Sequence, residues 1–415
     1  MKKLVKLGMI GLGPRGETLL ATLYEFPREE VLVTAICDIN QEKIDRILKI
    51  MEEHNYPKPM VFHDYRELVA HDEVDAVLIP TSWNSHLKIA EEAMSHGKYA
   101  GIEVGGASSL DELWRLVRAA ESTGVSCMML ENCCYGRPEM TVLKMIKEGI
   151  FGECVHAEGG YRHDLRQEIC SGKENRHDRL ANYTCRTGDV YTTHELGPIA
   201  KYFNINRGNR MVTLCSVASK SVGLNEWSRQ HRGAEDEVTR RRFNMGDVIT
   251  TIIKCANGET ITLTHDTSLP RPYSRGNLLE GSRGIWSEDK DGVFIEGVSK
   301  ANGEWEHWQP MEEIYERFEH PLWQEFRQEG VKGGHGGMDW LVLRGFIEAV
   351  KKGTQTPIDV YDTAAWMAIT PLSEDSCHMG GMPVAIPDFT DGKWIDPRPI
   401  VRSKYCLDAF CEECF

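Results

Sequence analysis

At 415 residues the chain is long enough for two domains and too long for one small core. Its 41% hydrophobic and 27% charged content is that of a folded globular protein, which excludes wholesale disorder. With 48 basic against 63 acidic residues the formal charge is −15, a sign that repels phosphate backbones and anionic lipid and argues against nucleic acid or a membrane as the main partner.

Taken in chain order, residues 4–10 read as a buried first strand that runs into Gly11-Leu12-Gly13-Pro14-Arg15-Gly16, with a helix opening over 17–24. The apolar run before that loop is too short for an export signal, and no stretch reaches the ~18 apolar residues that a membrane span needs. Residues 31–36 form a second strand ending at Asp38, 43–51 an amphipathic stretch, and 74–79 another strand. A helix over 85–96 stops at Gly97, and a strand follows over 99–104. Ser109-Leu110-Asp111-Glu112 predicts a capping box, with the serine on a backbone amide and the glutamate reaching back; that helix runs to Gly124. A last strand covers 126–131. Alternating strands and helices predict a parallel sheet, so residues 1–132 are expected to form one domain.

From about Cys133 the rhythm changes, and residues 133–415 are expected to form a second, mostly antiparallel sheet covered by helices. Strands are predicted over 212–218, 248–255, 260–264, 284–287 and 293–297. Asn257-Gly258 is expected to close a type I′ hairpin, with both residues at positive φ. Helices are predicted over 339–352 and 363–379. The charged stretch 164–186 is a candidate active-site loop.

The glycine motif carries chemistry because of its setting. It follows a strand, opens a helix and lies about 22 residues before Asp38 at the end of the next strand. Gly11 suits a tight turn, Gly13 a close approach of backbone to a pyrophosphate, and Gly16 close helix–sheet packing. The helix N-terminus offers partial positive charge to the phosphates. Asp38 would accept from the adenosine ribose and repel a 2′-phosphate, which predicts NAD over NADP. The fold class expected is therefore an N-terminal Rossmann domain followed by an α+β sheet domain.

Thirteen scattered cysteines show no disulfide framework; reduced thiols and a cytoplasmic location are expected. Cys406, Cys411 and Cys414 close the chain with a spacing that suits metal ligands, yet a fourth ligand is missing, and no metal is expected. The sequence admits a homo-oligomer without giving its state.

The order of domains resembles the Gfo/Idh/MocA oxidoreductases. Typical members carry Glu-Lys-Pro after the fifth strand, where this chain has Glu103-Val104-Gly105, keeping the glutamate and lacking the lysine. Four further blocks resemble the NAD-dependent glycosidases of glycoside hydrolase family 109: Trp83-Asn84-Ser85-His86, Glu131-Asn132-Cys133-Cys134-Tyr135-Gly136, Tyr191-Thr192-Thr193-His194-Glu195-Leu196-Gly197-Pro198 and Gly333-Gly334-His335-Gly336-Gly337-Met338-Asp339. That resemblance implies α-N-acetylgalactosaminidase activity through transient oxidation of the sugar C3 hydroxyl, removal of the C2 proton, elimination, water addition and re-reduction. The alternative it leaves is a sugar dehydrogenase or epimerase of the wider family.

Carried over residue by residue, the resemblance implies that Gly11, Gly13, Pro14, Arg15 and Asp38 touch the dinucleotide. Trp83 and His86 would line its adenine and ribose side, and Glu103, Val104 and Asn132 would sit near the nicotinamide ribose. Tyr135 and His194 are the expected proton-transfer residues, and Arg179, Tyr191 and Tyr273 the expected sugar-binding ones. His335 is expected only to support the loop that brings Asp339 to a helix start, and the Cys133-Cys134 pair to be packed and unreactive.

Overall fold

A computed structural model describes residues 4–172, 178–299 and 307–415. The first sheet is built from β1 (Val5–Ile10), α1 (Pro14–Leu23), β2 (Val31–Cys37), α2 (Gln41–Glu53), β3 (Met60–Phe62), α3 (Tyr65–Val69), β4 (Ala76–Ile79), α4 (Trp83–Ser95), β5 (Tyr99–Ile102), α5 (Leu110–Thr123) and β6 (Cys127–Met129). Its six strands are parallel, in the order β3-β2-β1-β4-β5-β6. β4 is buried at every position, as a strand with helices on both faces must be. The order reverses between β1 and β4, and the crevice above that point is where a doubly wound sheet takes its ligand. Ser109 and Glu112 form the capping box at the start of α5, and Gly124 ends it at φ 71°.

The edge strand β3 and the short helix α3 have no counterpart in the sequence expectation. Three residues cannot show a two-residue alternation, so β3 is found only by its pairing with β2.

The second sheet has nine strands, β7 (Cys154–Arg162), β8 (Met211–Ala218), β9 (Val248–Cys255), β10 (Thr260–Asp266), β11 (Leu278–Gly281), β12 (Gly284–Ser287), β13 (Gly292–Ile295), β14 (Gln309–Pro310) and β15 (Val384–Ala385). Their order is β14-β13-β12-β11-β7-β10-β9-β8-β15, and only the β7–β10 pair is parallel. The longest strand, β7, lies at its centre and is absent from the sequence expectation, as are the short strands β11, β14 and β15. Gly159-Gly160 interrupts its apolar pattern, and both glycines are there for space. A Cβ at Gly159 would stand 2.6 Å from the Cβ of Glu195, and one at Gly160 would stand 2.4 Å from the Thr264 carbonyl oxygen.

The β9–β10 hairpin forms as expected, but its turn differs. Gly258 has φ 112° while Asn257 stays out of the positive region, so the four-residue loop is not a type I′ turn. The Gly258 amide donates to the Cys255 carbonyl at 3.2 Å and closes it.

A 3-10 turn (Asn132–Tyr135) leads into this half. Its helices are α6 (Arg137–Lys147), α7 (Arg166–Cys170), α8 (Arg179–Cys185), α9 (Thr193–Tyr202), α10 (Gly223–His231), α11 (Glu237–Arg240), α12 (Met311–Phe318), α13 (Pro321–Glu329), α14 (Met338–Lys352), α15 (Val360–Met367) and α16 (Ile369–His378). The predicted helix over 363–379 is thus two helices, α15 and α16. The stretch 164–186 is not one loop, since α7 and α8 lie in it. α14 packs on α1, on β1 and on the 3-10 turn, so the second half of the chain reaches back over the mouth of the first sheet. No helix among the described residues is long and apolar enough to cross a membrane.

Candidate active site

The glycine loop between β1 and α1 has the geometry that a dinucleotide needs. Gly11 sits at φ 99°, and a Cβ there would lie 2.9 Å from the Pro80 carbonyl oxygen. A Cβ at Gly16 would lie 2.3 Å from the Gly11 carbonyl oxygen, so the third glycine is demanded by the packing of α1 on its own loop. Gly13 is different. At φ −74° any residue would fit, and a Cβ would meet only the Lys43 ammonium nitrogen, at 3.8 Å. The structure leaves that face open, and a pyrophosphate approaching the helix N-terminus fills it. Pro14 begins α1. Asp38 accepts the Leu12 amide at 2.8 Å and the Asn40 amide at 2.9 Å, which fixes its carboxylate beside the loop at the end of β2.

Beside the loop, two expected residues, Arg15 and Asn132, meet on the carboxylate of Asp339. Arg15 donates to Glu103 at 2.8 Å and, through both terminal nitrogens, to Asp339 at 2.8 and 3.0 Å. Asn132 donates to the same Asp339 at 2.7 Å. Burial would lower the Arg15 guanidinium, but Glu103 and Asp339 reverse that and raise it. Val104 follows Glu103 and is 5% exposed, with an isopropyl group where the resembling dehydrogenases carry their lysine.

Trp83 opens α4. Its indole lies over Gly105, where a Cβ would come within 2.4 Å of the ring, and its other neighbours are Tyr191 and Arg179, so it packs with the aromatic cluster of the second half. His86, one turn on, turns inward. It has no exposed surface, neither ring nitrogen has a hydrogen-bond partner among the described residues, and burial pushes it down to about 4. A neutral, enclosed imidazole has no surface to offer a ligand, so this expected contact is corrected.

The aromatic cluster gathers the expected sugar-binding residues around one that the sequence did not single out. Tyr161, near the end of β7, lies 4.4 Å from Tyr191, 5.6 Å from His194 and 6.5 Å from Tyr273, ring centre to ring centre. Arg179, in the first turn of α8, is buried and spans the cluster, over Tyr191 at 4.8 Å, Trp83 at 5.4 Å and Tyr161 at 5.8 Å. Its Nε pairs with Glu168 at 2.8 Å. Burial raises the Tyr161 phenol, and the Arg179 cation opposes that rise. Tyr273 stands half-exposed at the rim.

His194 occupies the first turn of α9, and its Nδ1 lies 2.7 Å from Glu131 Oε1. Glu131 is fully buried at the start of the 3-10 turn, where it also accepts the Cys133 amide at 3.0 Å. Burial would raise this carboxyl, but the facing imidazole and the hydrogen bonds hold it below the usual range. With Nδ1–H donated to a carboxylate, Nε2 is left as the basic nitrogen. Gly197 makes the contact sterically feasible, since a Cβ there would lie 2.9 Å from Glu131 Cγ. The His-x-x-Gly spacing in α9 thus serves the dyad directly.

Tyr135 is not part of this site. It is fully buried, its hydroxyl donates to the Tyr405 carbonyl at 2.9 Å, and burial raises the phenol well above its ordinary value. It ties the C-terminal tail to the domain junction, and the phenols that face His194 are Tyr191, at 5.0 Å between ring centres, and Tyr161, at 5.6 Å. Cys133 and Cys134 are buried thiols, both raised well above the ordinary value by burial. Arg275 Nη1 stands 3.3 Å from Cys133 Sγ and also pairs with Glu139. Among the described residues, the one group of three or more potential metal ligands that converges is Glu131, Cys133 and His194, within 4.8 Å of one another. The Arg275 guanidinium already donates to that sulfur. Cys406, Cys411 and Cys414 lie in the tail, the first two buried.

Residues 135–396 match the family model of the glycosyl hydrolase 109 C-terminal domain, and residues 5–131 that of the oxidoreductase family NAD-binding Rossmann fold. The chain belongs to glycoside hydrolase family 109. It is an NAD-dependent glycosidase, with its NAD-binding Rossmann fold over residues 5–131. Among its relatives is the alpha-N-acetylgalactosaminidase of Tannerella forsythia, 38% identical, the alignment covering 95% of this chain and 88% of that one. A family 109 protein of Stenotrophomonas maltophilia is also 38% identical, over 95% and 91% of the two chains. Solved structures with the same fold include a levoglucosan dehydrogenase complexed with NADH and levoglucosan, with TM-score 0.69 and 17% identity over 92% of this chain and 100% of that one. The myo-inositol 2-dehydrogenase of Lactobacillus plantarum superposes with TM-score 0.66 and 15% identity, over 93% and 100%.

Three residues of this site were not put forward from sequence. Tyr161 was hidden with its strand. Glu131 stood in a quoted block without a role, although an acid directly before Asn132 at a strand end was a usable signal. Asp339, four residues beyond His335, was placed only as a helix start.

Proposed function

We propose that this family 109 chain releases a terminal α-linked N-acetylgalactosamine by a redox-neutral route, oxidising the sugar at C3 and restoring it before release. The observation that carries the route is the Glu131–His194 dyad, set within the aromatic cage beside the Glu103–Val104 edge of the NAD crevice. The relative from Tannerella forsythia, an alpha-N-acetylgalactosaminidase, supports the choice of sugar.

Ordinary glycosidases place two carboxylates across the scissile bond, and NAD-dependent enzymes are exceptions. Here the cage presents Tyr161, Tyr191, Arg179 and His194. Bound NAD supplies reversible oxidation of the C3 hydroxyl. His194 Nε2 accepts the hydroxyl proton while Glu131 stabilises the resulting imidazolium. A C3 ketone acidifies the C2 proton, and the Tyr161 hydroxyl, set between Arg179 and His194, is placed to take part in its transfer. Departure of the C1 substituent, which takes up a proton, and addition of water follow, and the same two residues, after exchange with solvent, return protons to C2 and to the C3 oxygen. Arg179 donates to the sugar or its acyl oxygen, and Trp83 and Tyr191 pack on ring carbons. Val104 provides no ammonium for a simple dehydrogenase step.

The test is cleavage of p-nitrophenyl α-N-acetylgalactosaminide by purified protein with no NAD added, run in heavy water. Sugar product carrying deuterium at C2 is expected, and thioglycosides should be cleaved at comparable rates. Cleavage without deuterium would reduce the NAD to a structural role. Net NADH formation without cleavage would favour the dehydrogenase alternative.

A further inference from the structure

The segment Gly333–Gly337 is built for a purpose that supporting a helix does not explain. His335 holds φ 51°, a left-handed conformation that costs a non-glycine residue energy. It is flanked by Gly333, Gly336 and Gly337, all at positive φ. The loop lies against α1, the helix that starts at the pyrophosphate-binding turn. A Cβ at Gly333 would be 2.9 Å from Thr22 Cγ2, and one at Gly334 would be 3.4 Å from Thr18 Cγ2.

The strained backbone places the imidazole on a particular atom. His335 Nδ1 is 2.8 Å from Asp339 Oδ2, the same oxygen that takes Arg15 Nη1 at 2.8 Å. The His335 imidazole and the guanidinium of Arg15, the second residue of α1, therefore share one carboxylate oxygen. The hydrogen bond to Asp339 raises the His335 imidazole above its ordinary value, against its partial burial and the Arg15 charge, and Glu103 adds to the rise. Asp339 is fully buried, yet the His335 side chain is 55% exposed. A ring anchored by one nitrogen, with the rest open at a crevice that takes a dianionic diphosphate, has the form of a ligand contact.

We propose that His335 is a dinucleotide-binding residue supplied by the second domain. Asp339, as the positioning residue, holds the ring through Nδ1, so that its Nε2 edge is presented to the diphosphate and nicotinamide ribose. The inference rests on the NAD assignment, and its test does not depend on the sugar or on the C3 route.

The experiment measures binding of NAD, ADP-ribose and AMP by calorimetry to full-length protein stripped of cofactor. It compares the parent with His335→Ala and His335→Gly. Glycine adopts φ 51° without strain, so the second variant keeps the loop while removing the ring. Both variants should bind NAD and ADP-ribose roughly 10-fold more weakly, the scale of one charge-assisted hydrogen bond, and AMP as the parent does. Equal weakening of all three ligands would show that the loop acts only by supporting the glycine turn. Unchanged NAD binding in His335→Gly would show that only the backbone matters. Either result overturns the proposal, and so does a parent-like affinity in both variants.

Discussion

His194 and Glu131 should behave as one unit, because the carboxylate has no other described role than to hold the imidazole and the Cys133 amide. His194→Ala should lower kcat by roughly 10²–10⁴-fold, the range for loss of a positioned acid or base, with NAD still bound. Glu131→Gln keeps a hydrogen-bond acceptor at Nδ1 and removes the charge, so its loss should be smaller, about 10–10²-fold, with KM close to the parent. Adding Glu131→Gln to His194→Ala should cost almost nothing more. Independent, multiplicative losses in the double variant would break the dyad apart. At this scale the sequence was legible where motifs impose residue types: His194, Arg179, Tyr191 and Tyr273 do converge. It was misleading at Tyr135 and His86, because a motif position does not tell which way a side chain turns. Tyr135 is taken by a carbonyl 270 residues away in sequence, a contact that no local pattern reveals.

At the scale of elements, the glycine loop separates two kinds of constraint that one motif merges. Gly16→Ala should cost stability and NAD binding together, since its Cβ would collide with the Gly11 carbonyl. Gly13→Ala should leave the melting temperature of cofactor-free protein unchanged, because its φ suits alanine and its Cβ would meet open space. Its NAD affinity should nonetheless fall by an order of magnitude or more, since the methyl group occupies the approach of the pyrophosphate (a loss of about 1.4 kcal/mol or more). Calorimetry with differential scanning on both variants checks this, and a destabilised Gly13→Ala would mean that the loop packs more tightly than described. The first sheet was largely legible from sequence because strand, turn and capping signals are local. The second was legible only in part. β7 carries two glycines that non-local packing requires and that strand propensity disfavours, so the central strand was missed and Tyr161 with it.

Across the whole molecule, residues far apart in sequence hold the two halves in register. α14 brings Asp339 to Arg15 and Asn132, and the C-terminal tail returns to the junction through Tyr405 and Asp408. Asp408 lies between Lys201 at 2.9 Å and Arg207 at 2.7 Å, cations that Asp362 also contacts. Burial would raise the Asp408 carboxyl, but Arg207 and Lys201 prevail and lower it to about 2. A carboxyl whose folded value is depressed binds fewer protons in the folded state, so it stabilises the fold above its unfolded value of about 3.9. That contribution is lost as pH falls from about 4 through 2. A shift of this size corresponds to about 2 kcal/mol at neutral pH. Asp408→Asn should therefore unfold at lower urea than the parent at pH 7, and the gap should narrow below pH 4 as the parent loses the same charge. Glu413→Gln serves as the control, since its partner Arg402 is 60% exposed and a surface pair contributes little. A gap between Asp408→Asn and parent that stays constant from pH 7 to pH 3 would mean that the tail is held by packing and not by this carboxylate.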